Sequence, residues 1–278
     1  MILFPNAKIN IGLNVTRRRD DGYHDLSTLF YPIGWCDVLE IVPSKSGETT
    51  LAVSGRAVDC PPEKNLVMKA YRAMAGVADV PAVDIFLHKI IPDGAGLGGG
   101  SSDAAFLLKG LNGMFSLGLA DEELAGLAVT IGADCPFFIY DRPMMASGIG
   151  DILTPFDIAL VGRAIAVVKP EEYVSTKEAY SGVTPAVPDL ALEGILSDSV
   201  ESWRGRAVND FERSIFPLHP AIGEVKDRLY ELGAVYASMS GSGASVYGIF
   251  DCCDADNLSA MIRREFPGMS VWCGLAGY

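Results

Sequence analysis

The sequence predicts an α+β fold in two lobes. A length of 278 residues lies at the upper edge of what a single hydrophobic core serves. Apolar periods of two and of 3.6 residues are mixed along the chain rather than strictly alternating, which argues against a simple doubly wound sheet. Near Arg163 the pattern changes and a second series of elements begins. These observations place one lobe at residues 1–160 and the other at 161–278.

In the first series Ile9, Ile11, Leu13 and Val15 alternate with Lys8, Asn10 and Asn14, the pattern of a strand over 9–15. A basic and polar turn over 17–23 leads to strands over 26–33, 37–42 and 49–53. Residues 65–76 read as a helix and 83–90 as a strand. Then comes Pro92-Asp-Gly-Ala-Gly-Leu-Gly-Gly-Gly-Ser-Ser-Asp103, with five glycines among residues 94–100. Ala104, Ala105, Leu107, Leu108 and Leu111 follow at helical spacing, with Ser101, Ser102 or Asp103 as the N-cap. A helix with an acidic first turn is expected over 121–131. The second series has a strand over 164–168 and a short helix opened by Ser175-Thr-Lys-Glu178, which resembles a capping box. A helix over 222–232 and strands over 235–239 and 245–250 follow, the strands flanking a second glycine turn. A helix over 258–265 and a strand over 271–273 end the series.

Composition narrows the function classes. A net charge of −13 with no basic run longer than Arg17-Arg18-Arg19 argues against nucleic acid as a partner. No apolar run approaches membrane-spanning length and the first residues do not read as an export signal, so a cytoplasmic protein without a membrane partner is expected. The six cysteines show neither a C-x-x-C pair nor a framework spacing, and reduced thiols are expected. His24, His88 and His219 are too scattered to suggest a zinc site, and no metal-ligating residue is assigned.

The glycine run carries the functional argument. Glycines adopt positive φ without a steric penalty, and a helix start directs unpaired amides and the positive end of its dipole at one point. That arrangement suits a phosphate chain. A flexible linker would not feed straight into a helix with a clean apolar stripe. The spacing from Gly94 to Gly99 fits G-x-G-x-x-G, yet Ile90-Ile91-Pro92-Asp93 separates it from the preceding strand, and the acidic residue that a dinucleotide fold requires is out of place. A Walker A loop is excluded because no Gly-Lys-Ser/Thr follows. Taken singly, Lys8 is a strand lysine and Asp134, in Gly132-Ala-Asp-Cys-Pro136, is a turn aspartate. Beside a phosphate loop they suit phosphoryl transfer to an alcohol, the carboxylate as base and the ammonium as its electrostatic partner.

Pro5-Asn-Ala-Lys-Ile-Asn10, Gly22-Tyr-His24, residues 92–102, Gly132-Ala-Asp-Cys-Pro136 and Ser240-Gly-Ser-Gly-Ala244 occur in the order of the galactokinase, homoserine, mevalonate and phosphomevalonate (GHMP) kinase superfamily. The resemblance runs from Pro5 to about residue 250. Three of the segments narrow it to members whose alcohol acceptor is a cytidine diphosphate-linked methylerythritol. It implies a ribosomal-S5-like N-terminal lobe, a ferredoxin-like C-terminal lobe, and ATP with Mg²⁺. It implies catalytic roles for Lys8 and Asp134. The ATP phosphates would be lined by Pro92, Asp93, Gly94, Ala95, Gly96, Leu97, Gly98, Gly99, Gly100, Ser101 and Ser102, with Asn65 near the adenosine. The resemblance also places Asn10, Tyr23 and His24 at the cytidine diphosphate part of the small-molecule substrate. Tyr180 takes the position of an aromatic ring stacked on cytosine, with Tyr173 as the alternative.

Overall fold

The computed structural model of the chain describes residues 1–57 and 60–277. In chain order the strands are β1 (Ile2–Leu3), β2 (Asn6–Arg18), β3 (His24–Cys36), β4 (Val38–Pro43), β5 (Thr50–Gly55), β6 (Val83–Lys89), β7 (Met144–Ser147), β8 (Ile152–Pro155), β9 (Ala164–Lys169), β10 (Tyr236–Met239), β11 (Val246–Phe250) and β12 (Ser270–Leu275). The helices are α1 (Leu66–Ala75), α2 (Gly99–Met114), α3 (Asp121–Val129), α4 (Cys135–Tyr140), α5 (Thr176–Ser181), α6 (Leu192–Leu196), α7 (Glu212–Leu218), α8 (Pro220–Glu231) and α9 (Ala255–Glu265). Among the described residues no helix is long and apolar enough to cross a membrane.

The chain divides into two compact units. The first comprises Met1–Ala7, Gly34–Asp93 and Gly98–Arg142; the second comprises Lys8–Ile33, Gly94–Leu97 and the chain from Pro143 onward. The glycine loop is therefore shared, its middle four residues belonging to the second unit and its ends to the first.

In the first unit four strands lie in the order β1-β4-β6-β5, with β5 parallel to β6 and the other pairs antiparallel. Strand β6 alternates as its sequence requires, burying Val83, Ile85 and Leu87. Helix α2 buries Ala104, Ala105, Leu107, Leu108 and Leu111, the stripe read from the sequence. Each buried leucine contributes roughly 1.5–3 kcal/mol. At Gly110 the helix comes close to the sheet: an added Cβ would stand 2.6 Å from Ile41 Cδ1 and 2.7 Å from Leu3 Cδ1. Glu123 closes the start of α3, its Oε2 accepting from the Ala120 N–H at 2.9 Å.

In the second unit β9, β10, β11 and β12 form an antiparallel sheet in the order β10-β11-β9-β12. With α8 and α9 this gives the split βαβ arrangement of a ferredoxin-like fold. Its core joins Ala166 and Val168 to Ile222, Val225 and Leu229 of α8 and to Leu258 and Ile262 of α9. Leu13 and Val15 of β2 pack into the same core. A second sheet has the order β2-β3-β7-β8.

Two local expectations are corrected. None of Ser101, Ser102 and Asp103 is the N-cap of α2; Gly98, left-handed at φ 71°, takes that position, and the helix starts at Gly99. A left-handed glycine can turn the chain into the helix without a side-chain oxygen. The capping box at Ser175 is half formed. Ser175 Oγ accepts from the Glu178 N–H at 3.1 Å, but Glu178 Oε1 pairs with His219 Nε2 at 3.0 Å instead of reaching back. Strand β2 is covered on both faces, every residue from Asn6 to Val15 being buried.

Candidate functional site

In the second unit, strand β2 sets the surroundings of Lys8. Because both its faces are covered, Lys8 is only 3% exposed. A desolvated ammonium needs acceptors close by. Lys8 Nζ donates to Asn10 Oδ1 at 2.5 Å and to the Gly96 carbonyl at 3.1 Å, and it lies 5.0 Å from the centre of the Phe30 ring. The Lys8 N–H donates to the Leu97 carbonyl at 3.0 Å, so the strand is tied to the glycine loop by main chain as well as side chain.

Ser240, at the second glycine turn, donates its hydroxyl to the same Gly96 carbonyl at 2.8 Å and accepts from the Asn10 N–H at 3.2 Å. The fit is close. Gly96 has φ +73°, and a Cβ there would stand 2.0 Å from the Ser240 carbonyl oxygen. Asn209 holds the second turn from behind, its Nδ2 donating to Met239 O at 2.8 Å and Gly241 O at 2.9 Å. Asn10 is fixed by Thr28 Oγ1, 3.0 Å from its Nδ2, and by Tyr247, whose hydroxyl donates to its carbonyl at 2.9 Å. Sequence reasoning did not single out Thr28, Asn209, Ser240 or Tyr247 individually. Ser240 stood inside a quoted motif, but its pairings with Gly96 and Asn10 join residues 144 and 230 positions apart.

The aromatic candidates fall in two places. The His24 ring is stacked on Tyr180, with centroids 4.8 Å apart and an interplanar angle of 23°. Phe211 meets Tyr180 edge-on at 4.9 Å. The Glu178–His219 pair anchors α5, which carries Tyr180, and this pair holds the Glu178 carboxyl below its ordinary range. Tyr23 is 61% exposed. Tyr173 is 67% exposed and lies against the glycine loop instead, its Cε2 2.7 Å from where a Cβ on Gly94 would stand.

In the first unit the loop delivers the N-terminus of α2. The Ser102 N–H closes the first helical bond, to Gly98 O at 2.9 Å. The N–H groups of Gly99, Gly100 and Ser101 therefore have no acceptor within the helix and stand available to an anion. Ser102 Oγ is buried without a hydrogen-bond partner. Asn65 caps α1, its Oδ1 accepting from the Val67 N–H at 2.9 Å, and a Cβ on Gly100 would stand 3.7 Å from neighbouring Leu66 Cδ1. Asp134 is the residue before α4, at φ −80° and ψ −16°, and the Cys135 N–H donates to Gly132 O at 3.1 Å. Burial pushes the Cys135 thiol up to about 12. Asp141, left-handed at the end of α4, accepts from Asn6 Nδ2 at 3.0 Å, and burial raises its carboxyl.

The structure thus brings Lys8, Asn10 and Gly96 together, and His24 with Tyr180. Lys8 belongs to the second unit and Asp134 to the first. Chemically, the second unit offers a buried ammonium and a pair of stacked rings, and the first offers a row of amides at the start of α2 and a carboxylate.

A family model described as GHMP kinases N terminal domain matches residues 65–142, and one described as GHMP kinases C terminal matches residues 191–268. A 4-diphosphocytidyl-2-C-methyl-D-erythritol kinase of Parabacteroides distasonis is 53% identical over 251 residues, covering 90% of this chain and 92% of its own. A Bacteroides fragilis protein of the same name is 51% identical over 252 residues, with the same coverage of 90% and 92%. A crystal structure of a 4-(cytidine 5'-diphospho)-2C-methyl-D-erythritol kinase superposes with a TM-score of 0.83 at 35% identity over 100% of both chains. The Methanococcus jannaschii mevalonate kinase has a TM-score of 0.71 at 14% identity, covering 99% of this chain and 98% of its own, and shares the fold.

Proposed function

Because this chain belongs to the GHMP kinases, and among them to the family of its 4-diphosphocytidyl-2-C-methyl-D-erythritol kinase relatives, we propose that it transfers the γ-phosphoryl group of ATP to the 2-hydroxyl of 4-diphosphocytidyl-2-C-methyl-D-erythritol. The observation that carries the reading is the Lys8 ammonium, buried in β2 and donating to the carbonyl of Gly96 within the glycine loop. Little purely structural advantage follows from burying a lysine, whose desolvation costs several kcal/mol. A cation held at a phosphate loop is what a transferring phosphoryl group requires.

In this reading the amides at the start of α2 and the glycine loop hold the ATP phosphates. Bound with ATP, Mg²⁺ would offset part of the charge on the phosphates that the loop amides hold. Asp134 accepts the proton of the acceptor hydroxyl as that oxygen attacks the γ-phosphorus and the bond to the β,γ-bridging oxygen breaks, releasing ADP. Lys8 offsets the charge that spreads over the phosphoryl oxygens. Asn10, Tyr23 and His24 hold the cytidine diphosphate portion. The contact of His24 with Tyr180 favours Tyr180 over Tyr173 as the ring that meets the base. Asn65 stands near the adenosine, and the lobes of this reading run over 1–160 and 161–278.

The test is ADP release in a coupled assay, with 4-diphosphocytidyl-2-C-methyl-D-erythritol set against mevalonate, homoserine and galactose. Turnover of the cytidyl substrate alone is expected. Preferential turnover of any of the other three would replace this substrate assignment.

A further inference from the structure

We infer that the buried ion triad Asp37–Lys89–Asp103 is a positioning device that fixes both ends of the glycine loop in the geometry that receives ATP. The inference rests on the reading of that loop as the phosphate site, and it concerns residues given no role in the transfer step above.

Lys89 is the last residue of β6, Asp37 lies between β3 and β4, and Asp103 is in the second turn of α2. All three side chains are at least 95% buried. Lys89 Nζ donates to Asp37 Oδ2 and, at 2.6 Å, to Asp103 Oδ2. The other oxygen of Asp37 accepts from the main chain that leads into the loop, from Ile90 N at 2.5 Å and Ile91 N at 2.8 Å. The Asp37 N–H donates in turn to Pro5 O at 2.8 Å. One ammonium thus links the segment before Pro92 to the helix after Gly98. The two ends are packed as closely as they are bonded: a Cβ on Gly99 would stand 3.1 Å from Ile91 Cγ2 and 3.4 Å from Lys89 Nζ.

Stability alone does not account for this arrangement. Desolvating three charges costs several kcal/mol per ion, and apolar residues of similar volume are often as stabilising. The cost shows locally, because burial raises the Asp103 carboxyl and leaves its Oδ1 without a partner. What the triad supplies is a fixed geometry for a segment with unusually little intrinsic preference. Glycines lose more conformational freedom on ordering than any other residue. A loop whose ends are already held loses less on binding its ligand.

The test compares Asp103→Ala with Asp103→Asn. Alanine releases α2 from Lys89 while leaving the neutral Lys89–Asp37 pair; asparagine keeps an oxygen to accept from Lys89 Nζ. Dissociation constants for a non-hydrolysable ATP analogue with Mg²⁺ and for CDP are measured by calorimetry on the folded proteins. Asp103→Ala is expected to weaken the ATP analogue about tenfold while CDP stays within about twofold, and Asp103→Asn is expected to restore most of the loss. Should Asp103→Ala not fold, Lys89→Met combined with Asp37→Asn and Asp103→Asn removes all three charges at similar volume and carries the same measurement. Unchanged analogue affinity, or equal losses for both ligands, would overturn the inference. Failure of the wild-type chain to bind the analogue would instead overturn the functional reading, and this inference with it.

Discussion

Replacing Gly96 by alanine adds one methyl group at the point where the glycine loop is held by Lys8 and Ser240. The backbone there has φ +73°, and the new Cβ would stand 2.0 Å from the Ser240 carbonyl oxygen and 3.3 Å from Gly243 N. The left-handed conformation costs an L-residue roughly 1–2 kcal/mol. The contact is with backbone, so no rotamer relieves it, and such overpacking costs about 1–3 kcal/mol more. Together these give a penalty of about 2–5 kcal/mol on the native loop, which at ~1.4 kcal/mol per decade is at least ~30-fold in its population. The Gly96 carbonyl, acceptor for both the Lys8 ammonium and the Ser240 hydroxyl, moves with it. Gly100, four residues on, lies in helical backbone with Leu66 Cδ1 at an ordinary 3.7 Å, so Gly100→Ala is expected to raise Tm by about 1–3 °C. Titration with a non-hydrolysable ATP analogue and thermal unfolding of both variants make the comparison. Gly96→Ala with wild-type affinity and wild-type Tm would refute the reasoning.

Four further outcomes are expected. Asp134→Asn lowers kcat by at least ~10²-fold with little change in ATP affinity, as loss of a positioned base requires; a folded variant that keeps half its kcat is not missing its base. Gly98→Val, which places a β-branched residue at φ 71° before α2, abolishes binding of the ATP analogue while circular dichroism keeps its native form. His24→Ala narrows the kcat/KM preference for the cytidyl over the uridyl analogue, and Tyr180→Ala weakens both by about 1–3 kcal/mol; an unchanged ratio in the first variant would move base reading elsewhere. Cys135, whose thiol is pushed up to about 12 by burial, stays protonated at pH 8 and resists iodoacetamide, while exposed Cys253 reacts; mass spectrometry of the alkylated protein reads the difference.

Much of this molecule was legible in its sequence because the signals are local. The alternation in β2 and β6, the stripe of α2 and the glycine run before it each lie within a window of twenty residues. Short elements with no room for a period were missed. Helix α4 is six residues buried almost all round, and β7 and β8 are four residues each. The polar face of β2 read equally well as solvated, and only tertiary structure shows that Lys8 and Asn10 are covered. The N-cap of α2 was misplaced because serine and aspartate are strong caps elsewhere, while here a left-handed glycine does the turning. The partners of Gly96 and Asp103, and those of Asn10 beyond Lys8, are legible only in the fold, since they join residues tens to hundreds of positions apart.

The most direct test of the transfer reaction is a single-turnover reaction with γ-³²P-labelled ATP and 4-diphosphocytidyl-2-C-methyl-D-erythritol, its products separated and counted, with Asp134→Asn and Lys8→Ala run beside the wild type. The wild-type chain is expected to move the label into a cytidine-containing product phosphorylated at the 2-hydroxyl, and both variants are expected to leave it on ATP. Label found only in inorganic phosphate, or transferred at the wild-type rate by either variant, would contradict the account.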